Sequence, residues 1–397
     1  MKQSYHHNIY YLYIIKLSKW LMLIMPIVAL FYNDNGLSDF DIFFLQAIYS
    51  ISVALLEIPS GYMADIVGRK KSLVLGSVLG TLGYVVYSFS TTFTGFLSAE
   101  IILGLGGSLI SGADSALLFD SLAATRMQHR YLQFEGRVTS LGNFAETGAA
   151  ICGGVIAGFL SYRAVYISQA VIAAFAIPAS LFLLEPEREK HYGRPGFSHI
   201  FSVCNNAVFT NKQLSSSIYL SASTGVATLC MAWTAQVYFV TVGFDEITIT
   251  PLWVTLNLTV AIVAAFSAKA VKILGNRTAL LVIVFYIPIT YILLGWLPLV
   301  PALLSLYLFY SVRGYATPLL KDFINQNCDS SIRATVLSIR NLFIRFGFAL
   351  LGPSIGWMSN NSSLSFGLIL AGLVLLCFSS IAGFKLHKFL PERFRNR

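Results

Sequence analysis

The feature that most constrains this chain is a train of apolar stretches, each about twenty residues long, separated by short polar connections. A helix needs roughly twenty mostly apolar residues to cross the hydrocarbon core of a bilayer. Twelve such stretches are readable, at about 10–32, 39–63, 71–91, 95–123, 135–160, 163–184, 213–242, 247–271, 276–297, 299–320, 333–358 and 363–386. Lipid cannot satisfy a backbone N–H or C=O, so each stretch is expected to bond its own backbone as a helix. The expected fold class is all-α and integral to a membrane, with twelve transmembrane helices.

Composition agrees. Hydrophobic residues make up 56% of the chain and charged residues 11%, where a soluble domain carries roughly 25% charged residues. The net charge of +9 does not indicate a nucleic-acid partner, because the basic residues form no single patch. Of the 27 lysines and arginines, Lys16, Lys19, Arg313, Arg340 and Arg345 lie within spans and Arg163 stands on one set of connections. The other 21 sit at the termini and on the opposite connections, which by the positive-inside rule places both termini in the cytoplasm. The five cysteines show no CxxC pair, and the six histidines lie at span ends or in loops, so neither a metal nor a cofactor is expected. No cleavable leader is readable before the first span.

The longest connection, at about 185–212, is polar and contains Pro186, Gly193, Pro195 and Gly196. It divides the chain into an N-terminal bundle of six helices (1–184), a cytoplasmic linker (185–212) and a C-terminal bundle of six (213–397). The halves carry faint repeats. Leu117-Leu118-Phe119-Asp120 matches Leu319-Leu320-Lys321-Asp322, Arg137-Val138-Thr139 matches Arg333-Ala334-Thr335, and Gly68-Arg69-Lys70 matches Gly275-Asn276-Arg277. Three matches in register argue for duplication, which many secondary transporters show.

After the second span the chain reads Gly61-Tyr62-Met63-Ala64-Asp65-Ile66-Val67-Gly68-Arg69-Lys70-Lys71. This closely resembles the signature loop of the major facilitator superfamily, G-x-x-A-D-x-x-G-R-[RK]-[RK]. With Leu56-Glu57-Ile58-Pro59-Ser60 ahead of it, the chain is similar to a bacterial drug or metabolite efflux branch. The resemblance implies two pseudo-symmetric six-helix bundles in a bacterial cytoplasmic membrane. It also implies a conformational latch made by Gly61, Asp65, Gly68, Arg69 and Asp120, with Glu57 in the gate. Gly61 is expected to admit a close helix neighbour and Gly68 a tight turn. Asp65 is expected at the N-terminus of the eleventh span, where the helix dipole favours a carboxylate and Ser330 or Ser331 is placed to cap. Arg69 is expected to pair with Asp120.

Two positions depart from the antiporter members of that family. Glu100 stands in the fourth span where they carry an arginine, and the fifth span reads Gly148-Ala149-Ala150-Ile151-Cys152-Gly153-Gly154 without their proline. Both departures weaken the expectation of proton antiport.

Charges inside a bilayer are expensive and mark functional positions. Asp114 and Glu146 are the expected proton-coupling acids, with a structural ion pair between Asp114 and a first-span lysine as the alternative. Lys19, roughly 14 Å into the first span at 1.5 Å per residue, is expected to face solute. Arg313, Arg345, Asn341, Asn257 and Trp233 complete the expected binding set, because arginine keeps its proton and needs an acid, an anion or water. The solute is therefore expected to be a small anionic or zwitterionic organic molecule, alongside protons and lipid, carried by a monomer. No GxxxxGK[ST] motif is present, which excludes direct use of ATP through that loop. No HExxH or GxSxG sequence supports an enzyme. The expected function is secondary transport by alternating access, as proton-coupled efflux. The alternative is import of a nutrient or siderophore, proton-linked or facilitated.

Overall fold

The computed structural model describes residues 4–111, 113–127, 130–186, 202, 204–328 and 332–389. Among these there is no strand. The helices are α1 (Ser4–Trp20), α2 (Val28–Asp34), α3 (Asp39–Val67), α4 (Arg69–Phe89), α5 (Phe93–Ile110), α6 (Ala113–Ala124), α7 (Tyr131–Phe159), α8 (Tyr162–Ala174) and α9 (Ala176–Leu181). A π-helical turn, Asn206–Thr210, precedes α10 (Lys212–Thr241). Then come α11 (Glu246–Ala265), α12 (Ser267–Leu274), α13 (Asn276–Trp296), α14 (Leu299–Gln326), α15 (Arg333–Asn361) and α16 (Leu364–Phe389).

Ten helical segments among the described residues are long and apolar enough to cross a membrane. The other two expected spans are outside these ten for different reasons. The first is cut between α1 and α2 at residues 21–27, so the expected continuous helix over 10–32 is corrected. Pro26 lies in the cut and has no N–H for a helical bond. The fifth span keeps its length as α7, and the part of it whose side chains are described throughout, Phe144–Phe159, is apolar.

Three further spans are interrupted where continuous helices were expected. The fourth divides after Ile110, where Ser111 takes φ −59° and ψ 129°, outside the helical region. The sixth divides at Phe175, where Pro178 removes the bond that Ala174 would accept. The eighth divides at Phe266, at φ −105° and ψ 18°.

Local chemistry explains the remaining ends. Gly68 and Gly275 stand directly before α4 and α13 at φ +116° and +77°, a region that glycine adopts without a Cβ clash. Thr92 caps α5 by accepting from Gly95 N–H at 3.3 Å, and Ser161 caps α8 by accepting from Ala164 N–H at 3.1 Å. Asp245 precedes α11 and accepts from the N–H and hydroxyl of Thr248 at 2.9 and 2.7 Å. Those bonds hold its carboxyl below the usual carboxylate value.

The duplication extends to helix boundaries. α4 and α13 each have 21 residues and each follows a left-handed glycine. α7 and α15 each have 29 residues, and their starts at 131 and 333 are 202 positions apart.

The chain forms two compact units. The first comprises Met1–Leu37, Ile48–Lys190 and Phe239–Val254; the second comprises Ser38–Ala47, His191–Tyr238 and Thr255–Arg397. Each thus takes a short segment from the other half of the sequence. In the first unit, Tyr162 donates its hydroxyl to Glu246 Oε2 at 2.7 Å, and a Cβ on Gly154 would collide with Thr250. In the second, Ser359 donates its hydroxyl to Asp39 Oδ2, and Gly356 lies directly against the backbone of Asp39 and Phe40.

Candidate functional site

The charged centre of the first unit lies where the fourth span is interrupted. Asp114 occupies the first turn of α6, and its Oδ1 accepts from Ser115 N–H at 2.6 Å. Its Oδ2 is 3.6 Å from Lys16 Nζ on α1, with the two side chains only 10% and 15% exposed. Lys16 also reaches Ser115 Oγ at 3.5 Å. Charges this far from water persist when paired, and removing one partner leaves the other costly. The sequence singled out Lys19, which is exposed; Lys16, one turn earlier, makes the buried pair. Glu146 on α7 and Glu57 on α3 are half-buried, and the backbone carbonyl of Glu57 accepts from Ser60 Oγ at 3.1 Å.

The signature loop is held by two carboxylates. Arg69 pairs through Nη1 with Asp120 Oδ2 near the end of α6 and donates to the Ala116 carbonyl. Glu185, just after α9, accepts from the backbone N–H groups of Arg69 at 3.0 Å and Lys70 at 2.7 Å. These are orphan donors of the first turn of α4, where the dipole favours an anion. The Glu185 contact was not expected from the sequence, because nothing local links residue 185 to residue 69. All these groups belong to the first unit, so the Arg69–Asp120 pair fastens α4 to α6. Gly61 and Asp65 lie within α3, but their surroundings are outside what the structure describes, as are Ser330 and Ser331. The position directly before α15 is Ile332, which supplies no side-chain cap.

A third cluster surrounds Glu100, which is 4% exposed on α5. Tyr87 donates its hydroxyl to Glu100 Oε1 at 2.5 Å and Tyr32 donates at 3.2 Å. The rings of Phe31, Phe96 and Tyr166 pack around them. Arg163 closes one side, donating to Asn35 Oδ1 at 2.9 Å and to the Ser88 carbonyl at 2.7 Å. The sequence marked Glu100 only as a departure; its tyrosine partners come from two other helices.

The second unit carries buried cations. Arg340 on α15 is 8% exposed. Its Nε donates to Ser221 Oγ on α10 at 2.5 Å and its Nη1 donates to Asn341 Oδ1 at 3.0 Å. No acid pairs with it among the described residues. Arg313 on α14 lies over the Tyr310 ring, 5.5 Å from its centre. The buried Tyr310 hydroxyl has no partner among the described residues. Arg345, Trp233 and Asn257 are half-buried, and Asn341 is exposed. Arg340 was not in the expected binding set, although its side chain is more enclosed than those of Arg313 and Arg345.

Comparison with known proteins fixes the setting of these groups. The sequence profile of the Major Facilitator Superfamily matches residues 18–353. Multidrug resistance protein 2 of Bacillus subtilis is 27% identical over 163 residues, 41% of this chain and 40% of that protein. The riboflavin transporter RibZ of Clostridioides difficile is 22% identical over 236 residues, 54% of this chain and 51% of that protein. The chain thus aligns with about half the length, or less, of these curated relatives. A crystal structure of the nucleoside transporter NupG superposes with a TM-score of 0.77 at 13% identity, covering 97% of this chain and 99% of that one. At that identity the likeness concerns the fold. A family profile spanning most of the sequence, joined to an all-helical membrane fold of the same kind, makes this chain a member of the Major Facilitator Superfamily of secondary transporters.

Proposed function

We propose that this protein exports a small organic solute in exchange for protons, by alternating access between two bundles of six helices. The observation that carries the reading is the Lys16–Asp114 pair at the start of α6. A proton added to Asp114 removes its charge and leaves the Lys16 ammonium unpaired in a largely dry setting, so protonation changes which arrangement of α1 and α6 is stable. The solute is read as anionic or zwitterionic because Arg313, Arg340 and Arg345 bring permanent charge into membrane helices without carboxylate partners among the described residues. Glu146 is a second coupling acid, and Lys19, Asn341, Asn257 and Trp233 contribute to solute contact. Gly61, Asp65, Gly68, Arg69 and Asp120 act as the conformational latch, with Glu57 beside it. Export follows the names of relatives such as multidrug resistance protein 2. The charge distribution of the connections supports a cytoplasmic side for both termini, and the bacterial relatives support an inner-membrane setting.

The test is a proton-flux measurement in liposomes loaded with a pH-sensitive dye. Riboflavin, a nucleoside and a panel of organic anions and zwitterions are offered with and without an imposed pH step. Exchange predicts proton movement opposite to solute, lost in Asp114→Asn. Solute movement that ignores the pH step sinks the coupling.

One observation favours import instead. Glu100 is fixed under Tyr32 and Tyr87 where antiporter-like members carry an arginine. The same liposomes discriminate, since import moves protons and solute in the same direction.

A further inference from the structure

Two cavities in the second unit meet end to end along α10 and α16, and together they have the form of an amphiphile. The first, about 750 Å³, lies at the start of α10 and the end of α16. Lys212, Lys385 and Lys388 line it, and among the described residues no carboxylate does. The second, about 740 Å³, runs on between α10, α15 and α16 and is lined almost wholly by apolar side chains such as Val226, Leu350, Val374 and Phe378. Tyr219, Ile381 and Lys385 belong to both. From Lys385 to Leu370 the groove follows α16 for about 22 Å at 1.5 Å per residue. That exceeds one leaflet's share of a hydrocarbon core about 30 Å thick.

We infer that this continuous groove binds an anionic phospholipid, its phosphate held by the three lysines and an acyl chain laid between α10, α15 and α16. The mouth is built for it. The π-helical turn Asn206–Thr210 forms one wall, and its Val208 carbonyl accepts the Tyr219 hydroxyl at 2.9 Å. This holds the Tyr219 ring under Lys385 Nζ, 6.0 Å from the ring centre. The ammonium is thereby kept at the junction of polar mouth and apolar groove. Phe378 and Leu350 in the groove expose 64% and 76% of their surface, and Phe384 at the mouth exposes 73%, which a lipid chain covers and water does not. Basic pockets between transmembrane helices recognise lipid headgroups in this way. A free inorganic anion would use the mouth and leave the groove unexplained.

The test uses the full-length protein purified in detergent. It is titrated with phosphatidylglycerol, with phosphatidylcholine of the same chains, and with inorganic phosphate, while thermal unfolding and lipid adducts in native mass spectrometry are followed. Phosphatidylglycerol is expected to bind at least tenfold more tightly than phosphatidylcholine, and phosphate not to stabilise. Each of Lys212→Gln, Lys385→Gln and Lys388→Gln is expected to weaken phosphatidylglycerol about fivefold. Val374→Trp, which fills the groove at a half-open position, is expected to weaken both lipids while leaving the lipid-free melting temperature in place. Equal binding of the two lipids overturns the inference. So does a lysine triple variant that keeps the preference, or phosphate that stabilises as well as phosphatidylglycerol. None of these readouts depends on transport.

Discussion

The backbone N–H of Leu23 donates to the side-chain carbonyl of Gln169 at 2.8 Å, linking residues 146 positions apart. Leu23 lies in the non-helical stretch between α1 and α2 and is buried. Broken backbone at membrane depth persists only where protein or cavity water meets its polar groups. Gln169 on α8 does this for one donor. Gly153 on α7 lets the Leu23 carbonyl come so near that a Cβ there would sit 1.9 Å from the oxygen.

Gln169→Leu is therefore expected to leave a buried N–H without an acceptor, at about 1–3 kcal/mol. Thermal unfolding of the purified protein checks this. An unchanged melting temperature would show that the break is held by other contacts.

Gly153→Val tests the same feature from the other side. The added side chain has no room against Leu23, so α1 and α2 must separate from α7. Loss of folded protein from the membrane fraction is the expected outcome, with Gly148→Val, where a Cβ meets nothing within 4 Å, as the tolerated control.

Arg69→Ala removes the partner of Asp120 and one donor to the Ala116 carbonyl. The expected loss is about 1–3 kcal/mol, since both side chains are mostly covered. Exchanging the two residues, Arg69→Asp with Asp120→Arg, is expected to recover part of it. Glu185→Ala is expected to destabilise the same loop independently, through the uncapped first turn of α4. A double-mutant cycle on melting temperature separates the two contributions.

For Lys16 and Asp114 the single and double variants are expected to differ in order. Lys16→Met leaves a lone buried carboxylate and is expected to be the most damaging, by about 3–5 kcal/mol. Lys16→Met with Asp114→Asn removes both charges and is expected to fold better while losing proton-coupled flux. If the double variant still couples flux to pH, Asp114 is not the coupling acid.

Arg340→Lys is expected to fail where charge alone would suffice. A single ammonium cannot reproduce the divergent bonds of the guanidinium to Ser221 Oγ and Asn341 Oδ1. Reduced transport of anionic solutes with unchanged transport of neutral ones is the expected pattern in liposomes. An equal loss for both would assign Arg340 to packing of α15 on α10.

Apolar length and turn chemistry, read along the chain, determined the membrane setting, the helical class, the ends at Gly68 and Gly275 and the internal repeat. These are local quantities that add up residue by residue, and lipid leaves the backbone no alternative to helix. The likeness of the signature loop also pointed to Arg69 and Asp120 as partners. Only the tertiary structure decided that Lys16 rather than Lys19 meets Asp114, although the two lysines differ by about 4.5 Å of rise and about 60° of rotation on one helix. Only it brought Gln169 to Leu23, Glu185 to α4, Tyr32 and Tyr87 to Glu100, and Ser221 to Arg340. Each of those partnerships depends on which face of one helix meets which face of another. That facing is set by packing over the whole unit, and no window of the sequence contains it.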